Sequence, residues 1–358
     1  MIDKEYVINQ LRQLGYLCKK ISYNGTGSNH HVFDVQTDKG DLIVKFAKTR
    51  STEVDFQEPG TDTMFGGKLS LERESYLLSL LLKVGLEAPK IIHINKKEIP
   101  FLVVSKCPGL PFPEWIKSDG YKRNSFLKIM KNLGKDFNHL HQTTSFQSFG
   151  NIMENGRIEP EGIFNFADRY KQINDRIIEK SIKKGAFNAI ESQKVKNFFD
   201  IKFLDYYEEL STSSKKPTLV ITDMFGGNFF VDKGKPSGYF DVESCQAAPA
   251  EFELYAMPFF LFNFFDEKTF LEAQNNFYEG YGSSSSTLDF ELIDFFSACR
   301  LLELLQSYWG YLDGLRDSWG ERIKKILFFY IKNGILDYNK LGSIWRERDK
   351  QPQHPLVD

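Results

Sequence analysis

Cysteine is scarce in this chain, and its positions lie far apart. Cys18, Cys107, Cys245 and Cys299 are the 4 cysteines among 358 residues, and none stands in Cys-x-x-Cys spacing or beside a histidine in a zinc pattern. This spacing argues against a structural metal site and against a disulfide framework. We therefore expect reduced, buried thiols, as in a cytosolic protein.

The sequence also lacks a dense basic cluster and a long apolar run. The net charge is −2, and the lysine pairs 183–184 and 324–325 are isolated. A nucleic-acid partner is not expected, because such binders usually carry a basic patch. The most apolar stretch, 257–265, is far shorter than the roughly 20 residues that cross a bilayer. Charged residues without a signal-peptide core open the chain, so we expect a cytoplasmic protein without membrane contact.

The apolar patterns divide the chain into a mixed first part and a mainly helical second part. Its length allows one large or two medium domains. Residues 1–105 alternate strand and helix patterns, and a hinge near 105–109 leads into residues 106–358. The patterns predict strands at 32–36, 42–46, 90–94, 101–104, 219–221, 228–232 and 238–241. They predict helices at 5–14, 69–84, 126–141, within 164–184 and within 192–210, and further helices from about 251 that break at 282–286. The expected fold is α+β, with a small β-rich lobe and a large helical lobe.

Three polar residues in the second part suggest phosphate chemistry. Asp223 lies in a turn between two apolar strands, Asn228 follows it, and Asp241 ends another apolar strand. Hard cations such as Mg²⁺ prefer oxygen ligands, which Asn228 and Asp241 would supply. Asp223 would then accept the proton of an attacking hydroxyl group. Each residue alone is common in plain turns, so the specificity lies in their order.

A lysine in the first part is a candidate ligand of phosphate. Lys45 lies inside an apolar strand, downstream of a glycine-rich turn. Glu74 is its candidate partner, since it shares a helix face with the leucines at i+3, i+4 and i+7. Glu72 is the second candidate. The alternative is a lysine on the solvent face of an edge strand.

The glycine-rich turn contains Gly25, Gly27 and Ser28. Backbone amides in such a turn would face phosphate oxygens. No Gly-Lys-Ser/Thr follows it, and a strand rather than a helix comes next. The turn is therefore neither a P-loop nor a dinucleotide-binding fingerprint.

The order of these features is more specific than any one of them. A glycine-rich turn, a strand lysine, a helix glutamate, a hinge, Asp-x4-Asn and a strand-end aspartate together resemble the protein-kinase-like family of aminoglycoside phosphotransferases, choline kinases and related small-molecule kinases. The resemblance covers residues 20–260. Local matches are the hinge strand 101–109, the helix end 133–141, the metal-binding strand 238–243 and the element 249–254.

This resemblance implies a bilobal protein-kinase-like fold. Residues 1–105 would be the nucleotide-binding lobe, and residues 106–358 the catalytic and substrate-binding lobe. Asp223 would be the catalytic base, and Asn228 and Asp241 would hold Mg²⁺. ATP, or GTP in its place, would be bound by Gly25, Gly27, Ser28, Lys45, Glu74, Ser105 and Cys107.

The chain departs from the family pattern in three places. Ile221-Thr222 stands where the family usually has His-Gly before the catalytic aspartate. Glu253 stands in place of an aspartate, and the segment 47–68 is longer than a minimal connection. Since the family histidine packs under the metal site, Ile221 would fill that space.

The helical region 251–320 carries a strong negative charge. It has 12 acidic and 3 basic residues, a net charge of −9. An acidic, aromatic wall suits a cationic substrate, with Glu303, Asp313 and Asp317 as candidate contacts. The alternative is that these acids are the solvated faces of amphipathic helices.

The sequence thus predicts an enzyme, an ATP-dependent phosphotransferase acting on a hydroxyl of a small, cationic, aminoglycoside-like molecule. One alternative is a kinase of choline, a sugar or an amino alcohol. Another is a catalytically silent kinase-fold protein that binds nucleotide, which the pair Ile221-Thr222 favours. The presence of Lys45, Asp223 and the two candidate metal ligands argues against a catalytically silent protein. The oligomeric state stays open.

Overall fold

The computed structural model describes residues 2–24, 30–47, 70–97, 99–222, 227–309, 315–338 and 340–342. Within these residues, the first part of the chain contains two helices and a five-stranded antiparallel sheet in the order β1-β2-β3-β5-β4. Its elements are α1 (Lys4–Gln13), β1 (Cys18–Asn24), β2 (His30–Thr37), β3 (Gly40–Ala47), α2 (Leu71–Lys83), β4 (Ile91–Asn95) and β5 (Phe101–Ser105).

The second part is mainly helical, with short strands between the helices. Its first elements are β6 (Leu110–Pro111), α3 (Phe112–Trp115), α4 (Arg123–Thr143), β7 (Gly150–Ile152), β8 (Ile158–Glu159), α5 (Phe166–Lys183) and α6 (Ala189–Asp205). They are followed by β9 (Thr218–Val220), β10 (Phe229–Asp232), β11 (Lys235–Tyr239), β12 (Gln246–Ala248), α7 (Ala250–Leu254), α8 (Ala256–Phe264), α9 (Glu267–Tyr281), α10 (Phe290–Tyr308) and α11 (Leu315–Asn333). The predicted α+β bilobal fold class is confirmed.

The sheet of the first part separates two apolar clusters. Alternate residues of β3 point to opposite faces, as the period of a strand requires. Val44 and Phe46 pack with Val7 and Leu11 of α1 in a small core. Lys45 points the other way, toward α2. Because β3 lies between β2 and β5, Lys45 is not on an edge strand, and it is buried.

Helix α2 begins at Leu71, and its buried face is the one that the leucine pattern predicts. The side chain of Ser70 caps it by accepting a hydrogen bond from the backbone N–H of Arg73 at 3.1 Å. Glu74 is buried with the leucines of its face, Leu77, Leu78 and Leu81. These leucines belong to the large apolar cluster that also fills the second part.

The described residues of the second part also form two small sheets. One has the order β11-β10-β6, and the other the order β8-β7-β12-β9. A two-residue turn joins β10 to β11, with positive φ at Lys233 and Gly234. The large helices α4 and α9 pack behind these sheets, together with α5, α10 and α11.

The structure differs from the predicted elements in three places. The predicted strand 238–241 ends at Tyr239, because Asp241 has φ +57°, outside the β region. Residues 282–287 continue as a 3₁₀ helix where a break was expected. The strands β6, β7, β8 and β12 were missed, since two or three residues are too few to show an alternating pattern.

The burial of the cysteines and the lengths of the apolar helices bear on two of the expectations from the sequence. Cys107, Cys245 and Cys299 are buried, and Cys18 is half-buried. Among the described residues, no helix combines the length and the apolar character that a bilayer span requires.

Candidate active site

A cleft with a volume of ≈ 480 Å³ lies between the sheet of the first part and the strands β10 and β11 of the second. This volume is in the range of small-molecule and cofactor sites. The lining joins apolar walls to a few converging polar groups. It consists of Asn24, His30, Val32, Ile43, Lys45, Glu74, Leu78, Pro89, Val104, Ser105, Cys107, Pro111, Pro113, Glu114, Asn228, Phe230, Phe240, Asp241, Glu243 and Ser244.

Lys45 and Glu74 meet inside this cleft. Lys45 Nζ lies 2.7 Å from Glu74 Oε1 and 2.8 Å from Oε2, so β3 and α2 are joined by a bidentate ion pair. Glu72, the second candidate partner, instead contacts Lys96 at 3.1 Å. The side chains of Lys45 and Glu74 are only 10% and 4% exposed.

Asp241 approaches the same lysine from the second part. Its Oδ1 lies 3.5 Å from Lys45 Nζ, and its side chain is 43% exposed. Burial alone lowers the pKa of Lys45, but the attraction of Glu74 and Asp241 outweighs it, so the pKa lies above its ordinary value. Lys45 is therefore charged at neutral pH, with two carboxylates within reach.

Asn228 stands beside Asp241 because β10 and β11 pair. The backbone C=O of Asn228 accepts a hydrogen bond from the N–H of Phe240 at 3.0 Å, and both Asn228 and Asp241 line the cleft. Amide and carboxylate oxygens fit a hard cation such as Mg²⁺. Within the described residues no group of three His, Cys, Asp or Glu forms a metal site. The set would thus suit Mg²⁺ only with phosphate oxygens or water as further ligands.

The chain that leads to Asp223 is held by a buried carboxylate. Ile221 is buried, and its backbone N–H donates to Glu253 Oε1 at 2.7 Å. Glu253 Oε2 contacts His141 Nε2 at 2.6 Å, and His141 Nδ1 contacts the hydroxyl of Tyr281 at 2.7 Å. Burial raises the pKa of Glu253, and the contact with His141 opposes that rise. The longer acid at position 253 thus reaches both the strand end and helix α4.

His139 and His141 lie near the end of helix α4. His139 Nε2 contacts the backbone oxygen of Val84 at 2.6 Å, and His141 is buried behind the cleft with Glu253. Neither belongs to the cleft lining. Both join helix α4 to other segments of the chain.

The hinge is fixed by backbone hydrogen bonds. The N–H of Ser105 donates to the oxygen of Lys90 at 2.8 Å, and the hydroxyl oxygen of Ser105 accepts from the N–H of Lys90 at 2.8 Å.

Burial, and secondarily the charge of Glu87, raises the pKa of the Cys107 thiol to about 12, so the thiol stays protonated. A Cβ at Gly238 would lie 2.1 Å from Cys107 Sγ, so β11 needs a glycine there.

Some of the predicted site residues cannot be placed in this arrangement. Asp223, Gly25, Gly27, Ser28 and Asp313 lie outside the described residues. Asp317 falls in α11, and its side chain is outside the described part.

Glu303 and several other acids of the region 251–320 are engaged in ion pairs. Glu303 lies on α10, pairs with Arg300 of the same helix at 2.5 Å, and is absent from the cleft lining. Other acids of 251–320 pair with bases from elsewhere in the chain: Glu251 with Lys215, Glu272 with Arg123, and Glu279 with Lys131. For these residues the alternative of solvated or ion-paired helix faces fits better.

The cleft also contains residues that the sequence patterns did not single out. Phe230 and Phe240 pack at a ring distance of 5.1 Å. Glu243 lies 3.7 Å from His30, so the second part also meets the first residue of β2. No sequence pattern indicated Glu243, because the chain leaves the extended conformation at Asp241, where φ is +57°, and strand alternation does not apply there. Glu114 had no signal either.

No family model matches the chain, and no curated protein matches it.

Solved structures of small-molecule kinases match nearly the whole chain. A thermostable mutant of aminoglycoside phosphotransferase APH(4)-Ia, in ternary complex with AMP-PNP and hygromycin B, matches with a TM-score of 0.61 and 11% identity over 92% of this chain and 99% of that one. A protein assigned as a fructosamine-3-kinase from Thermobifida fusca YX-ER1 matches with a TM-score of 0.57 and 12% identity over 91% and 100%. The gentamicin complex of APH(2")-IIa matches with a TM-score of 0.58 and 10% identity over 95% and 98%.

The chain therefore has the fold of the protein-kinase-like small-molecule kinases, as the order of its motifs predicts. At these identities the likeness shows a shared fold, and function has to be argued from the site.

Proposed function

We propose that this chain is a small-molecule kinase, which transfers the γ-phosphate of ATP, or of GTP, to a hydroxyl of a small molecule. The contact of Lys45 Nζ with both Glu74 and Asp241 carries the proposal. It brings together β3, α2 and the segment that follows β11 at one wall of an interlobe cleft. A shared fold alone does not require a charged lysine there, whereas protein kinases use a strand lysine paired with a helix glutamate to hold the phosphates.

Nucleotide would occupy the cleft with its base near the hinge and its phosphates near Lys45. The apolar walls, among them Ile43, Val104 and Phe240, suit a flat base, and Ser105 and Cys107 of the hinge also line the cleft. The neighbour crystallised with AMP-PNP has the same fold. Lys45 would donate hydrogen bonds to phosphate oxygens while Glu74 holds it in place.

Asn228 and Asp241 would hold Mg²⁺, and Asp223 would act as the base. Mg²⁺, when bound, supplies charge neutralisation at the phosphates. Asp223 would orient the acceptor hydroxyl and take its proton, a role that follows from its position before Asn228 in the sequence. Glu253 would position the approach to Asp223 through the backbone of Ile221.

The acceptor class is the finer part of the proposal. The neighbours include aminoglycoside phosphotransferases and proteins assigned as fructosamine-3-kinases. The net charge of −9 over residues 251–320 supports a cationic acceptor. Since Glu303 is paired, Asp313 and Asp317 remain the candidate contacts. An amine-bearing polyol fits both the activities assigned to these neighbours and the negative charge of residues 251–320. Choline or a neutral sugar is the competing acceptor.

The direct experiment measures ADP or GDP release by the full chain with Mg²⁺ and a panel of alcohols. The panel contains aminoglycosides, fructosamines, choline and neutral sugars. We expect turnover with an amine-bearing acceptor, and none after Asp223→Ala, while nucleotide binding persists in that variant. Asp232→Ala, at the end of β10 and outside the cleft lining, is the matched control and should keep full turnover.

Three results would contradict the proposal. Full activity of Asp223→Ala would remove that residue from the mechanism. Nucleotide binding without nucleotide consumption across the panel would favour the catalytically silent alternative. Failure of nucleotide to bind would reject the assignment of the cleft.

A further inference from the structure

Arg73 precedes Glu74 on helix α2, and its side chain is completely buried. Burying a guanidinium is costly unless its N–H groups find partners, because the ion loses its hydration. An arginine held inside a protein at that cost is a candidate for a specific structural or functional task.

The partners of Arg73 come from the second part of the chain. Its Nε donates to the backbone oxygen of Ile152 at 2.8 Å, and its Nη2 donates to the backbone oxygen of Cys245 at 2.7 Å. Ile152 ends β7, and Cys245 immediately precedes β12. Both acceptors are uncharged carbonyls, and the described residues offer no hydrogen-bond partner to Nη1. The guanidinium therefore bridges helix α2 to two segments that are distant in sequence.

The other end of α2 is attached to the second part as well. The backbone oxygen of Val84 contacts His139 of α4 at 2.6 Å. The backbone oxygen of Glu87 accepts from the N–H of Tyr239 at 2.9 Å. The apolar face of α2 belongs to the cluster that fills the second part. Helix α2 thus packs with the larger lobe, although its sequence lies within residues 1–105.

We propose that Arg73 is a positioning residue that pins the N-terminal half of α2 to the second lobe, and so sets the Lys45–Glu74 pair before any ligand binds. The next residue, Glu74, cannot move away from the cleft without breaking the two carbonyl contacts of Arg73. The pinning of α2 stands on the contacts alone. Its consequence for turnover rests on the proposed kinase function.

Hydrogen–deuterium exchange of the full chain tests the pinning without any assay of activity. In Arg73→Gln, the backbone amides of residues 74–82 should exchange at least about tenfold faster than in the wild type, because local opening of α2 becomes easier. The amides of α4 and α5 should keep their protection. The matched control is Arg123→Gln, which removes an exposed ion pair with Glu272 and should leave α2 unchanged.

Two outcomes of that experiment overturn the pinning. Unchanged protection of α2 in Arg73→Gln means that the leucine face holds the helix without the arginine. A uniform rise of exchange in all helices means that Arg73 stabilises the whole fold and has no particular relation to α2. If Arg73→Gln fails to fold, Arg73→Lys, which keeps the charge and can reach one carbonyl, should show a smaller but still local rise.

The consequence for turnover is tested by a double-mutant cycle. We expect Arg73→Gln and Glu74→Gln each to lower kcat on the order of 10²-fold, as misplacement of a phosphate ligand would. The double variant should be no slower than Glu74→Gln, since both changes remove the same positioning. Additive losses would mean that Arg73 acts separately from Glu74.

A destabilised variant far from the cleft separates positioning from stability. Phe199 is a buried residue of α6, and Phe199→Leu should lower Tm without lowering kcat at temperatures where the chain is folded. A wild type without turnover would reject the proposed function, yet the exchange experiment would still decide whether Arg73 pins α2.

Discussion

Lys45 and Glu74 form an ion pair from which water is nearly excluded. Breaking a buried pair by removing one partner leaves an uncompensated charge and typically costs about 3–5 kcal/mol, whereas removing both charges costs less. We expect Lys45→Met to lower the free energy of unfolding by about that amount. The double variant Lys45→Met/Glu74→Gln should recover part of the loss, because no buried charge then lacks a partner.

Urea unfolding at neutral pH measures both variants. The exposed pair of Lys96 and Glu72 provides the control, since its side chains are 60% and 35% exposed and Lys96→Met should change stability little. A double variant that loses as much as the sum of the two single variants would contradict the expectation. Lys45 and Glu74 would then act independently.

Asp136 supplies a pH-dependent contribution to stability. It accepts a hydrogen bond from the hydroxyl of Tyr239, which joins α4 to β11. Burial raises the pKa of Asp136, and the hydrogen bond from Tyr239 opposes that rise. The folded chain therefore binds this proton more tightly than the unfolded chain. Stability from this group is fully present below the ordinary aspartate pKa and is lost as pH rises through the folded pKa.

The variant Asp136→Asn removes this titration. Its unfolding free energy should fall less than that of the wild type as pH rises through that window, so the two curves of stability against pH should approach or cross. Urea titrations at a series of mildly acidic pH values give both curves. Parallel curves would mean that the pKa of Asp136 is the same in the folded and unfolded chains.

Among the elements, helices α4 and α9 are packed through glycine. A Cβ at Gly134 of α4 would lie 2.0 Å from the backbone oxygen of Phe277, and a Cβ at Gly280 of α9 would lie 1.9 Å from that of Lys131. Either alanine would force the helices apart, which we expect to cost about 1–3 kcal/mol, as overpacking does. The double variant should cost less than the sum, because one separation accommodates both methyl groups.

Thermal or urea unfolding of the two single variants and the double variant measures this coupling. Lys135→Ala, the exposed neighbour of Gly134, is the control and should be nearly neutral. Full additivity would mean that each helix adjusts locally rather than by moving away from its partner.

The elements that the sequence predicts well are those whose burial shows a clear period. The leucines of α2 and the alternating apolar residues of β2 and β3 each indicate one buried face. The observed bounds of these elements are therefore close to the predicted ones. Helix α6 has no such period in its sequence, yet Asn188 and Glu191 form a capping box at its start. The short strands around the site depend on pairing with distant segments, which no local pattern contains.

The same distinction applies to the candidate site: residues in sequence motifs were predicted, and residues whose role depends on distant contacts were not. The order of motifs pointed to Lys45, Glu74, Asn228 and Asp241, and the fold brings these four side chains to one cleft. Arg73 could not be inferred from its surroundings in the sequence, because its acceptors are backbone carbonyls 79 and 172 residues away. The ion pairs of Glu251, Glu272 and Glu279 could not be inferred for a related reason: their pairing with bases outside the region 251–320 is a property of the fold.

On the scale of the whole molecule, the cleft links the two lobes, so a ligand that fills it should stabilise the whole chain. A ligand that binds only the folded state adds about 2.7 kcal/mol at 100 times its Kd. We expect AMP-PNP with Mg²⁺ to raise Tm by several degrees, since 1 kcal/mol shifts Tm by roughly 2–4 °C in chains of about 150–250 residues and by less in longer ones. A chelator should remove the part of the shift that depends on Mg²⁺.

The variant Asp241→Asn separates the metal from the nucleotide in this measurement. It should keep a Tm shift with AMP-PNP alone and lose the further shift with Mg²⁺, because one of the two proposed metal ligands loses its charge. Asp232→Asn, the control, should respond to both as the wild type does. If Mg²⁺ raises the Tm of Asp241→Asn as much as that of the wild type, the metal is not held by Asp241. The pairing of Asp241 with Lys45 at 3.5 Å would then be its main role in the cleft.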